Sequence, residues 1–102
     1  MKKALFLLFA LTGLVFAGEA DSMIKAYSVL AAVVGLGIAA LGGAIGMGHT
    51  AAATIAGTAR NPGMGGKLMG TMFIALAMIE AQVIYTLVLA LIALYSNPFI
   101  GA

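Results

Sequence analysis

Residues 68–94 form one apolar run that admits a single ionisable side chain, Glu80. At about 1.5 Å per residue the run makes a helix of roughly 40 Å, enough to cross a hydrocarbon core of ~30 Å. Glu80 falls near its middle. Positions one helical turn or two away, Phe73, Leu76, Ala77, Val83, Ile84 and Leu87, are all apolar. An ionised carboxylate at that depth costs at least ~2.5 kcal/mol. The nearest cation along the helix, Lys67, is about 20 Å away. Away from water the protonated, neutral carboxyl is favoured over the carboxylate, so releasing the proton needs a wet or positive site supplied by another chain. The run predicts a proton or ion carrier; a protonated Glu acting only as hydrogen-bonding glue between helices is the plainer alternative.

A second apolar run, residues 26–59, carries no charged side chain and only one titratable group, His49. As a helix it is about 50 Å long, so its ends protrude beyond the hydrocarbon. With 64% apolar and 8% charged residues in 102, and a mean hydropathy of +1.18, the chain is an integral membrane protein and not a water-soluble domain. The expected fold is all-α: a two-helix transmembrane hairpin. Two helices cannot surround a central carboxylate, so a homo-oligomer is implied. The net charge of +2 rests on eight charged residues and gives no sign of nucleic-acid binding. Cysteine is absent, which removes disulfides and thiolate metal sites. No nucleophile–base pair or phosphate loop supports a catalytic role, and no cofactor is expected. His49 has no second His, Cys or carboxylate at ligand spacing and reads as a packed or interfacial histidine.

The first helix is rich in glycine, and the spacing matters more than the amount. Gly42 and Gly46 share one side of a helix, while Ala44, Gly48 and Ala52 lie nearly opposite. Small residues four apart let helix backbones approach closely in lipid. Having them on two sides suits a helix held between two identical neighbours. Glycine is also common in membrane helices generally, so the two-sided placement carries the inference.

Residues 60–67, Arg60-Asn61-Pro62-Gly63-Met64-Gly65-Gly66-Lys67, read as the turn: Pro62 bars Asn61 from the helical region and the glycines permit reversal. Two cations and no acid place this loop in the cytoplasm. Residues 1–17 have the form of a cleaved signal, with Lys2 and Lys3 before an apolar stretch and Val15-Phe16-Ala17 as a processing site; an uncleaved surface helix is the alternative. Cleavage leaves residues 18–102 as the mature hairpin, with both termini outside and the loop inside. Folding about Pro62 sets Glu80 level with Ala44, opposite Gly42-Gly43-Ala44-Ile45-Gly46-Met47-Gly48.

Those small residues, the loop Ala59-Arg60-Asn61-Pro62 and Glu80 twenty residues after Arg60 together resemble the c subunits (proteolipids) of the membrane sector of F-type ATP synthases, from about Lys25 to Phe99. The resemblance implies a ring of identical hairpins in the bacterial inner membrane, glycine-rich helices inside and carboxylate-bearing helices outside. It implies that Glu80 takes a proton from one half-channel of a stator a subunit and releases it at the other, beside a stator arginine. The loop at Arg60, Asn61 and Pro62 would dock the central stalk. Gly63 stands where the family often has an acid, which leaves the detail of stalk contact open. Sodium-binding rings resemble one another in a first-helix Gln and a Ser or Thr directly after the Glu; Met47 and Ala81 stand here and offer no oxygen to a hard cation. Tyr85 matches a family tyrosine that hydrogen-bonds the carboxyl. Gln82 could supply an oxygen, so a sodium-coupled rotor stays open beside the proton reading. A holin-like pore-forming hairpin and a scaffold proteolipid are the rivals outside the family.

Overall fold

The structure, a computed structural model, describes residues 1–100. It is a hairpin of two helices, α1 (Lys2–Arg60) and α2 (Gly65–Tyr95), joined by a single 3-10 turn, Pro62–Met64. Both helices are long and apolar enough to cross a membrane. The hairpin is 90 Å in its longest dimension and only 17 × 10 Å across, because α1 runs about 40 Å past the end of α2.

Two expected boundaries move. The first helix starts at Lys2, not 26, with no break at Ala17 and Gly18: residues 1–25 contain no proline, and two isolated glycines do not stop a helix. The loop expected over 60–67 shrinks to Asn61–Met64, with Arg60 and Lys67 each inside a helix and α2 extending from Gly65 to Tyr95 instead of 68–94. Pro62 explains the tightness. Asn61 is held at φ −142°, ψ 85°, the extended conformation a following proline requires. Its N–H still donates to the Gly57 carbonyl at 3.0 Å, and its own carbonyl accepts from Met64 N–H at 3.0 Å. Gly57 and Gly65 make the reversal possible by close approach: a Cβ on either would lie 3.0 Å from Leu68 or Thr58 side-chain carbon.

The seam between the helices is made of small residues. Ala32, Gly43 and Ala90 are its buried members. Thr50, Thr54 and Thr58 stand one turn apart on the seam side of α1 and turn their hydroxyls inward along the helix. They donate to the carbonyls of Gly46, Thr50 and Thr54 at 2.9, 2.8 and 2.8 Å, so no hydroxyl is left unpaired where water is scarce. At the far end Asn97 Nδ2 donates to Ser28 Oγ at 2.7 Å and Asn97 Oδ1 accepts from Phe99 N–H at 2.9 Å, closing the hairpin. Nearly every large apolar side chain stays exposed, from Leu5 at 72% to Phe99 at 79%. Such a surface is stable only against lipid or further copies.

Candidate ion-carrying site

Glu80 is the middle residue of α2, fifteen positions from Gly65 and fifteen from Tyr95. What fixes its position is the backbone beneath it. Ile79 and Val83 are half-buried against α1. A Cβ built on Gly43 would sit 2.7 Å from Val83 Cγ2 and 3.7 Å from Ile79 Cγ2; one built on Gly46 would sit 3.5 Å from Ile79 Cδ1. Only glycine at position 43 permits that approach without something shifting. The axial level expected from the sequence is thus found, with Glu80 bracketed by residues that touch the glycine run.

The side chain itself is exposed on the flank of α2, about 100° around from Ile79, and does not lie between the two helices. The six apolar neighbours named from helical spacing divide accordingly. Leu76 and Val83 turn into the seam, while Phe73, Ala77, Ile84 and Leu87 stay exposed beside Glu80. Gly42 and Gly46 also part company: Gly46 meets Ile79, whereas Gly42 and Gly48 have nothing within 4 Å of where a Cβ would be. Among the described glycines, Gly43 is the one where an added Cβ would meet a neighbour most closely. Ala44 is exposed, so small residues remain uncovered on both sides of α1.

Tyr85 is 69% exposed and five residues from Glu80, about 140° away around the helix. Gln82, about 160° away, shares the flank of Tyr85. One hairpin therefore does not bring either to the carboxyl. Met47 and Ala81 are half-buried, and His49 is exposed on α1. Arg60, Asn61 and Pro62 are together at the tip and exposed. Ile79 and Val83 were not singled out from the sequence as site residues. The signal was there: they precede and follow Glu80 at seam spacing, level with the smallest residues of α1.

Residues 30–93 match the model of the family of ATP synthase c subunits. That stretch holds the glycine run, the turn and Glu80. The chain belongs to this family. It is 81% identical over 101 residues to the ATP synthase c subunit of Sulfurovum sp. (strain NBC37-1), a match spanning 99% of this chain and 100% of the relative. The ATP synthase c subunits of Campylobacter fetus subsp. fetus (strain 82-40) and Aliarcobacter butzleri (strain RM4018) are 73% and 70% identical, again over 99% of this chain and 100% of each relative. Membership of the family makes the chain a non-catalytic, ion-carrying rotor component of an F-type ATP synthase. The holin-like and scaffold readings fall away with it.

Proposed function

We propose that Glu80 is the carrier and that it carries a proton. The observation that supports this most is the placement of one carboxyl at the midpoint of α2, exposed on an apolar flank, above a backbone pinned by Gly43 and Gly46. A group held at a fixed depth yet facing out of its own hairpin can be met by a partner. The stator a subunit would supply both the half-channels and the cation this chain does not place near Glu80. One charge moved through 100 mV is worth about 2.3 kcal/mol, so many copies must act in turn on one rotor.

The same geometry supports a role for Tyr85 and Gln82 between copies. In a closed ring each copy offers its neighbour two different surfaces, so opposite flanks meet. The flank carrying Glu80 then faces the flank carrying Tyr85 and Gln82 of the next copy, where the Tyr85 hydroxyl can donate to the carboxyl. The uncovered small residues Gly42, Ala44 and Gly48 would let the α1 helices approach on both sides. The turn at Arg60, Asn61 and Pro62 would meet the central stalk on the cytoplasmic side of the inner membrane, leaving both mature termini outside. Proton is favoured over sodium because Met47 and Ala81 have no oxygen to offer; Gln82 is the residue that could reverse this.

The test is reaction of membranes with a hydrophobic carbodiimide, which attacks protonated carboxyl groups in apolar surroundings, across pH and with or without sodium. Mass spectrometry locates the adduct. Modification at Glu80 that declines as pH rises and ignores sodium is expected. Protection by sodium would keep the rotor, change the ion and point to Gln82. No modification at any pH would remove Glu80 as the carrier.

A further inference from the structure

The carrier role leaves His49 without a task. An ionisable side chain inside a membrane helix is costly and calls for a partner. His49 lies eleven residues, about 16 Å, in from Arg60. It is exposed on α1, and among the described residues its side chain makes no hydrogen bond. A ring N–H in an apolar setting is destabilising until something accepts it. Two grooves fix which flank of the hairpin carries it. Ala51 and Ile55 line one together with Met69, and Met69 precedes Glu80 by eleven residues, within about 20° around α2. Ala53, one turn after His49, lines the other with Thr71 and Ala75; Ala75 precedes Gln82 by seven residues, again within about 20°. His49 thus shares the flank of Gln82 and Tyr85, and Ala51 shares that of Glu80.

Ala44 and Gly48 stand with Ala51: they lie about 100° and about 140° around α1 from Gly43, Ala51 about 80°, and His49 about 120° the other way. With opposite flanks of successive copies meeting, the arrangement proposed above on which this inference rests, His49 comes against Ala44, Gly48 and Ala51 of the next copy. A rotation preserves height, so it meets them at its own level. That surface has an opening. Thr50, Thr54 and Thr58 show that a side chain on this helix reaches the carbonyl four residues earlier. Gly48 has no side chain and nothing within 4 Å of where a Cβ would be, so the second lone pair of the Ala44 carbonyl stays uncovered. Helical side chains lean toward the N-terminus, which carries the imidazole from the level of residue 49 toward that carbonyl. We propose that His49 locks successive copies together: the neutral imidazole fills the notch at Gly48 of the next copy and donates a ring N–H to its Ala44 carbonyl. The titratable groups facing His49 are Tyr85 on its own flank and Glu80 of the copy it meets. An imidazolium would set a charge between two apolar flanks, so the lock holds at neutral pH and weakens in acid.

The chain has no cysteine, so the contact can be trapped. In the intact membrane sector, oxidation of His49→Cys combined with Gly48→Cys should give a ladder of disulfide-linked multimers on a denaturing gel. His49→Cys alone should stay monomeric, as should His49→Cys with Gly42→Cys, where both thiols lie on one flank. Heat dissociation of the ring is then followed at about pH 5 and about pH 8, the range over which histidine changes charge. A Glu80→Gln background keeps the carboxyl from titrating. With His49 in place the ring should dissociate several degrees lower at the acid pH. His49→Gln, an amide that donates without titrating, should keep the stability at the higher pH and lose the difference between the two. His49→Ala should be less stable at the higher pH. The proposal is overturned if the His49 and Gly48 cysteines stay unlinked although the ring is intact, or if the acid shift survives His49→Gln. It is also overturned if His49→Ala is as stable as the histidine ring, or if His49→Gln falls as far as His49→Ala. A wild type that forms no ring would overturn the arrangement of copies and this lock with it.

Discussion

Gly43→Ala adds one methyl group where, among the described glycines, a Cβ has the least room. The new carbon would lie 2.7 Å from Val83 Cγ2, about 1 Å inside ordinary carbon–carbon contact. Val83 cannot simply swing aside, because a β-branched residue in a helix has one strongly preferred χ1. Either α1 and α2 separate or Val83 leaves its rotamer, and overpacking of this kind costs about 1–3 kcal/mol. Alanine recovers about 0.5–1 kcal/mol of helix propensity, leaving a net loss centred near ~1 kcal/mol per copy. The assay is thermal dissociation of the detergent-extracted membrane sector, with ATP-driven proton pumping in inverted vesicles alongside. Gly43→Ala should lower the transition by several degrees and reduce pumping, since Glu80 rides on the displaced turn. Val83→Ala, which removes the methyl that is struck, should rescue Gly43→Ala with a coupling of about 1 kcal/mol or more in a double-mutant cycle. If Gly43→Ala is as stable as wild type, or Val83→Ala gives no rescue, the argument from close approach is wrong.

Glu80→Gln should leave the ring assembled and abolish both proton pumping and carbodiimide labelling, because an amide neither binds nor releases the proton; residual pumping measured with a pH-sensitive dye would refute the carrier role. Asn97→Ala removes the Ser28 and Phe99 contacts and should cost about 1 kcal/mol, read as faster hydrogen exchange over residues 96–100 with the turn unaffected. The leader is proposed to be removed after Ala17, so the mass of the chain from purified membranes should correspond to residues 18–102; an N-terminus at Met1 would instead keep the full α1 helix in the assembled protein.

How far the sequence reaches can be judged from particular residues. The hairpin was legible because two apolar runs flank a proline turn, and in lipid a backbone that must satisfy itself internally has little choice but helix. Glu80 was legible because it is the lone charge in its run. The contacts of the seam were not. Gly43 is indistinguishable by composition from Gly42, yet one meets Val83 and the other meets nothing within its own hairpin. The Ser28–Asn97 bond joins residues 69 apart, with no local pattern to announce either. The continuation of α1 over residues 2–25 was not legible because signal-like composition and helical propensity point the same way there.

By itself the sequence determined the class, the axial level of Glu80 against the glycine run and the family, all of which follow from hydropathy, spacing along one chain and the order of a few motifs. The tertiary structure decided the rotational phase of α2 against α1. That phase turns Ile79 and Val83 inward and leaves Glu80 on an open flank. A helical period fixes the angles between residues on one helix and says nothing of how two helices are turned toward each other. In helices apolar on every side no hydrophobic stripe supplies the missing angle, and the close fit of Val83 to a bare glycine backbone supplies it instead.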